Sequence, residues 1–132
     1  MNNGASAYLV QGFFFQYWNT LGLGTAAGEG VVSVIRTEIV RDMFSGIIWR
    51  DELTGEWQGS FTDPFGDSTI VVEHLDDSTF TFMKCYRNRQ DLIHYELTWN
   101  GKYWQGTYSG ERTGDGGASC ILTPVPEGML RG

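Results

Sequence analysis

Proline is scarce in this chain, three in 132 residues, and cysteine scarcer still, at two. Cys85 and Cys120 allow one disulfide at most and have no metal-ligand spacing. They read as small buried hydrophobes with reduced thiols. Positive charge is also in short supply. Nine Lys and Arg stand against sixteen Asp and Glu, a net charge of −7. Such a surface repels phosphate, which argues against nucleic acid and anionic membranes as partners. No apolar run is long enough to span a bilayer, since Ala5 to Trp18 is interrupted by Gln11, Gly12 and Gln16. Met1-Asn2-Asn3-Gly4 lacks the basic n-region of a secretion signal. The expectation is a soluble, cytoplasmic chain.

What is abundant points to β-structure. Hydrophobic residues make up 41% and charged residues 19%, which excludes a disordered chain. At this length a single domain spanning 1–132 buries about two-thirds of its extended surface, enough for one core without staples. Eight Phe, six Tyr and five Trp accompany eighteen Gly. That mixture favours many short strands joined by tight turns. Tyr8 to Trp18 reads as a strand, with a helix as the alternative because apolar residues lie on every side. Leu21 to Gly30 reads as a loop and Val31 to Val40 as a strand, whose tail, Thr37 to Phe44, also fits one or two helical turns. Ile47 to Arg50, Trp57 to Thr62, Thr69 to Leu75, Thr79 to Tyr86, Leu92 to Trp99, Lys102 to Tyr108 and Ala118 to Thr123 complete the set. Turn compositions recur between them every eight to twelve residues, the spacing of an antiparallel barrel or sandwich.

Asn100-Gly101 has the composition of a two-residue type I′ hairpin turn. It pairs Trp99 with Lys102, Leu97 with Trp104, Tyr95 with Gly106 and Ile93 with Tyr108, giving one apolar face. Phe82 opposite Tyr95 and Phe80 opposite Leu97 extend that face across the preceding hairpin. His94, Glu96 and Thr98 fall on the polar face, with His94 solvated and paired to Glu96. Trp57-Gln58-Gly59-Ser60-Phe61 is echoed by Trp104-Gln105-Gly106-Thr107-Tyr108, and in both copies Trp, Gly and the last aromatic share a face. A glycine there leaves room for a ring or for a bend in the sheet.

Gly55-Glu56-Trp57, opening a run of antiparallel strands, resembles the strand-start motif of the calycins, the lipocalins, fatty-acid-binding proteins and avidins. The resemblance implies an up-and-down barrel with a small, largely apolar ligand in its lumen and Trp57 plugging one end. Calycins carry the motif near the chain start, whereas here about fifty residues precede it. The fold expected is therefore all-β, an antiparallel meander of about eight or nine strands closed into a calycin-like barrel. A two-sheet β-sandwich is the alternative.

Other motifs carry less. Gly22-Leu23-Gly24-Thr25-Ala26-Ala27 fits a relaxed dinucleotide fingerprint, but Gly28 and Gly30 break the helix that would hold a pyrophosphate. Asp63, Asp67, Glu111 and Asp115 lie in two similar loops without EF-hand spacing, and read as turn aspartates. No Ser-His-Asp grouping, P-loop or Cys-x-x-Cys is present, so no cofactor and no metal is expected. His74 and His94 lie at opposite ends of strands and form no joint site. The turn at Asp76-Asp77-Ser78 decides the interior. Three turn residues place Ile70, Val72 and His74 inside; two place Val71, Glu73 and Leu75 there. His74 inside is preferred, with Arg36 and Glu38 as its buried partners.

The functional expectation is binding of a small, mostly apolar or aromatic molecule in the lumen. Trp57, Phe80, Phe82, Tyr95 and Trp104 form the walls, and His74, Arg36 and Glu38 orient the ligand. On this reading Arg36→Ala weakens binding far more than His94→Ala. Two alternatives stand beside it. One is a small barrel enzyme, an isomerase, cyclase or decarboxylase, using His74 or Glu73 as acid–base and Arg36 on a carboxylate or enolate. The other is an oligomeric interaction module, a homodimer by base rate, completed through Tyr8 to Trp18.

Overall fold

The computed structural model describes residues 5–24, 31–88 and 91–126, with side chains for 5–16, 42–88 and 91–126. Every regular element among them is a strand. These are β1 (Ala7–Gly24), β2 (Val31–Arg50), β3 (Trp57–Asp63), β4 (Gly66–Leu75), β5 (Thr79–Tyr86), β6 (Leu92–Trp99), β7 (Trp104–Gly110) and β8 (Gly114–Pro124). Each pairs antiparallel with the next, and β8 returns to β1, so eight strands close into a barrel in meander order. The barrel, not the sandwich, is the architecture.

Period-two alternation selects the lumen. Along β5, Phe80, Phe82, Lys84 and Tyr86 are buried while the residues between them are half-buried. Ile93, Tyr95 and Leu97 of β6 and Trp104 and Tyr108 of β7 continue the inner face. Burying Phe80 or Phe82 completely contributes roughly 1.5–3 kcal/mol each. An eight-stranded barrel is just wide enough for side chains to fill it, so its large rings need small neighbours. A Cβ on Gly12 would lie 2.5 Å from the Phe44 ring, and one on Gly46 would lie 2.6 Å from the Phe61 ring. These glycines make space for rings. All four of Gly12, Gly46, Gly59 and Gly106 also lie close against an adjacent strand, where a Cβ would collide with the Ser119, Ser60, Ile47 and Glu96 carbonyls.

Several registers differ from the sequence reading, each for a local reason. β2 is one strand from Val31 to Arg50, with no helical tail at Thr37 to Phe44 and no break before Ile47. It is templated along its whole length by β1, which itself continues to Gly24 through residues read as loop. A bulge opposite Phe14 and Phe15, with Arg41 the extra residue, absorbs the mismatch. The rest of the predicted loop, 25–30, lies outside the described residues.

The β6–β7 turn is two residues longer than predicted. Trp99 pairs with Trp104, Tyr95 with Tyr108 and Ile93 with Gly110. Asn100 holds this turn by its side chain, its Oδ1 accepting from the Lys102 and Tyr103 backbone N–H groups at 3.0 and 2.9 Å. The slip is even, so every side chain stays on its predicted face.

Between β4 and β5 the turn is the short one, with the Asp76 N–H donating to the Thr79 carbonyl and Leu75 inward opposite Phe80. A bulge between Val72 and His74 then resets the parity, so that Ile70 and Val72 also face the core. Both predicted alternatives were half right. Neither Glu73 nor His74 enters; both are exposed.

The close strand approach at Gly106 makes a prediction. Gly106→Ala should cost roughly 1–3 kcal/mol by overpacking. Gly110→Ala, whose Cβ meets only side-chain atoms, of Ile93, Thr113 and Asp91 at 3.2, 3.4 and 3.5 Å, should cost less. Urea midpoints of the two variants check the order.

Candidate functional site at the barrel mouth

The predicted lumen walls are present, and their rings pack against one another. Phe82 stacks on Tyr95 at 4.6 Å and 10°, Phe80 lies 4.8 Å from Phe82, and Trp104 meets Phe80 edge-on at 5.9 Å. These rings pack one another, which is what close-packed interiors do. Half-buried Trp57 sits at the end of the barrel that carries Pro124 and packs on Tyr8 at 5.5 Å.

The predicted polar cluster is not assembled. His74 is 58% exposed and bonds Asp76 through Nε2 at 2.6 Å. On β2, Arg50 pairs with Trp57 at the His74 end. Arg36 and Glu38 pair with Asn19 and Tyr17 in the opposite direction, where the β1–β2 ladder runs on past the last β1–β8 pair, Gln16 with Gly116. At about 3.3 Å per residue this separates Arg36 from the His74 end by roughly 40 Å. The side chains of Arg36 and Glu38 lie outside the described residues. His94 is on the outer face, as predicted, but its nearest partner is Glu73 at 2.7 Å, with Glu96 at 3.7 Å.

Among the described residues, Lys84 carries a charge into the barrel. It follows Phe80 and Phe82 in the inward register, and its ammonium donates to Asp63 Oδ2 at 2.7 Å, with side chains 1% and 0% exposed. Asp63 ends β3 at the Asp63-Pro64-Phe65-Gly66 turn, where its Oδ1 accepts from the Phe65 N–H at 2.8 Å. Gly66, at φ 126°, permits the reversal. The turn thus holds one carboxylate oxygen and aims the other inward. Tyr86 donates its hydroxyl to that same Oδ2 at 2.5 Å. Four rings surround the ammonium, Tyr86 at 4.6 Å, Phe14 at 5.3 Å, and Phe44 and Tyr95 at 5.7 Å. Each is within cation–π range.

Above this pair lies a pocket of about 160 Å³, lined by Phe14, Phe65, Tyr86, Ile93, Tyr95, Tyr108, Arg112 and Thr113. Its floor is buried and its rim, Phe65, Arg112 and Thr113, is exposed. Buried Asp91 fixes that rim. It accepts from the Thr113 hydroxyl at 2.5 Å and from the Thr113 and Arg112 backbone N–H groups at 3.0 and 3.4 Å. Burial holds the Tyr95 phenol well above its usual range, and the neighbouring Tyr86, Tyr108 and Asp63 reinforce the shift, so Tyr95 remains a hydrogen-bond donor. Cys120, also buried, is pushed up to about 12 and stays a thiol.

Two larger clefts, of about 540 and 520 Å³, lie over exposed strand faces, one across Phe13, Met43 and Ile121 and one beside Trp57 and His74. Neither combines a buried charge with an aromatic enclosure. Of the predicted wall residues only Tyr95 lines the mouth pocket. Lys84, Tyr86, Tyr108, Phe14, Phe65 and Asp63 were not chosen from sequence, although Lys84 shares the parity of Phe80 and Phe82.

The exposed His74–Asp76 pair makes a separate prediction. Asp76 is lowered from 3.8 to about 2, first by the Ser78 N–H, then by the Thr79 N–H and by His74. A carboxyl depressed by folding adds stability above its unfolded value, and loses it as pH falls through the folded one. The loss belongs between about pH 4 and pH 2. Thermal melts should show Asp76→Ala changing less than the parent across that window; parallel curves would contradict it. No protein family, curated protein or solved structure matches this chain.

Proposed function

We propose that this barrel binds a small molecule built on a single aromatic ring, seated at the mouth above Lys84 and Asp63. The observation that carries the reading is a ring-sized pocket whose lining rings Phe14, Tyr86 and Tyr95 also border the buried Lys84–Asp63 pair. A cavity of roughly 150 Å³ is large enough for benzene, so the size matches one ring and not a lipid tail. Phe14, Tyr95 and Tyr108 offer edges and faces, with Phe14 and Tyr108 already perpendicular at 6.2 Å. Arg112 and Thr113 offer polar contacts at the rim.

The reading keeps the ligand class of the calycin-like expectation and moves it from the barrel's centre to one end. The closed antiparallel meander supports that likeness. An acid–base role for Glu73 or His74 on such a ligand has no support in their exposed positions.

Binding of benzyl alcohol to the full chain, followed by ligand-observed NMR, tests the placement. Phe65→Ala should weaken it about tenfold, the equivalent of about 1.4 kcal/mol, because Phe65 walls the rim against Phe14 at 6.2 Å. Trp104→Phe, deep in the filled part of the lumen, should leave it unchanged. The opposite order would return the site to the barrel's centre.

A further inference from the structure

We propose that Lys84 captures an aromatic aldehyde at the barrel mouth as a protonated imine. The inference rests on the binding reading above and names the reactive group of its ligand. The chain contains only two lysines, Lys84 and Lys102. Lys102 is exposed in the β6–β7 turn, while Lys84 is sealed in the barrel. Desolvating an ammonium costs several kcal/mol, and well-packed apolar residues replace a buried ion pair with little or no loss of stability. Stability alone therefore gives no reason for the one interior lysine. Chemistry does.

What Asp63 and the four rings recognise is a positive charge at Nζ. A protonated imine carries the same charge on the same nitrogen, so a site complementary to the ammonium is complementary to the product as well. The step balances without an outside reagent. The Nζ lone pair, freed when Asp63 accepts a proton, adds to the aldehyde carbon, and the carbonyl π electrons move to oxygen. That oxygen leaves as water, carrying two of the three ammonium hydrogens, while the C–O bond breaks and the C=N bond forms. The third hydrogen stays on nitrogen, facing the Asp63 carboxylate. Asp63 Oδ2, in contact with both Nζ and the Tyr86 hydroxyl, is placed to relay the protons.

An aromatic aldehyde suits the surroundings. Phe14, Tyr86 and Tyr95 line the pocket and also border Nζ, so a ring held by the pocket brings its carbonyl to the wall behind which the amine lies. Lysines screened from water by apolar neighbours are the ones that serve as imine formers.

Reductive trapping decides the matter. The full chain is incubated with benzaldehyde and cyanoborohydride, and the modified amines are located by peptide mass spectrometry. Lys84 should be alkylated about tenfold faster than exposed Lys102, because binding holds the aldehyde beside it. Excess benzyl alcohol should slow Lys84 and spare Lys102. Lys84→Arg, which keeps the cation but forms no imine, should lose the adduct at that position while Lys102 is labelled at its parent rate. Labelling confined to Lys102 and the N-terminal amine overturns the inference. If benzyl alcohol still binds in that case, the binding reading stands and only the imine fails; if it does not, both fail.

Discussion

A charged pair enclosed in an aromatic lumen is the constraint around which this barrel is organised. An isolated buried ammonium is prohibitively expensive, so Lys84 requires Asp63. Asp63 in turn requires a turn that presents its carboxylate inward, supplied by Asp63-Pro64-Phe65-Gly66 with Gly66 at positive φ. Tyr86 adds a hydroxyl to the same oxygen, and Phe14, Phe44, Tyr86 and Tyr95 face the charge with their rings. The aromatic content of the chain thus does two jobs. At one level of the barrel rings pack on rings; at the mouth rings enclose a cation.

The fold was largely legible because period-two alternation survives errors of even size. Lengthening the Asn100 turn by two residues changed the partners of Tyr95 and Leu97 but not their face. An odd error is different, and the β4–β5 hairpin held one. The short turn and the longer one each satisfied half of the apolar positions. The actual solution, a bulge at Glu73, lets Leu75, Val72 and Ile70 all turn inward and expels both ionisable candidates. A bulge has no reliable composition, so nothing local announced it. The long β1–β2 ladder was obscured for another reason. Its glycines and polar residues look like loop in isolation, and pairing along a neighbour overrides that propensity.

The site was less legible than the fold. Phe80, Phe82, Tyr95 and Trp104 were placed correctly inside, yet facing side chains do not reveal whether the space between them is hollow. A Cβ on Gly12 or Gly46 would meet both a ring and a neighbouring strand's carbonyl, so these glycines serve the packing of the barrel wall itself. Lys84 was in plain view, at the inward parity set by Phe80 and Phe82, but its partner lies 21 residues away in a turn where aspartate is ordinary. Pairing across that distance comes only from the closed meander.

The most direct measurement is a double-mutant cycle on the pair, reading urea unfolding free energies of Lys84→Met, Asp63→Asn and the double variant. Each single change should cost about 3–5 kcal/mol by stranding a buried charge or leaving its partner unpaired. The double change should recover most of that loss, because methionine fills the lysine's volume and asparagine still accepts from Tyr86. Small, additive costs would contradict the account, showing that Lys84 and Asp63 reach solvent separately and that no buried pair underlies the mouth.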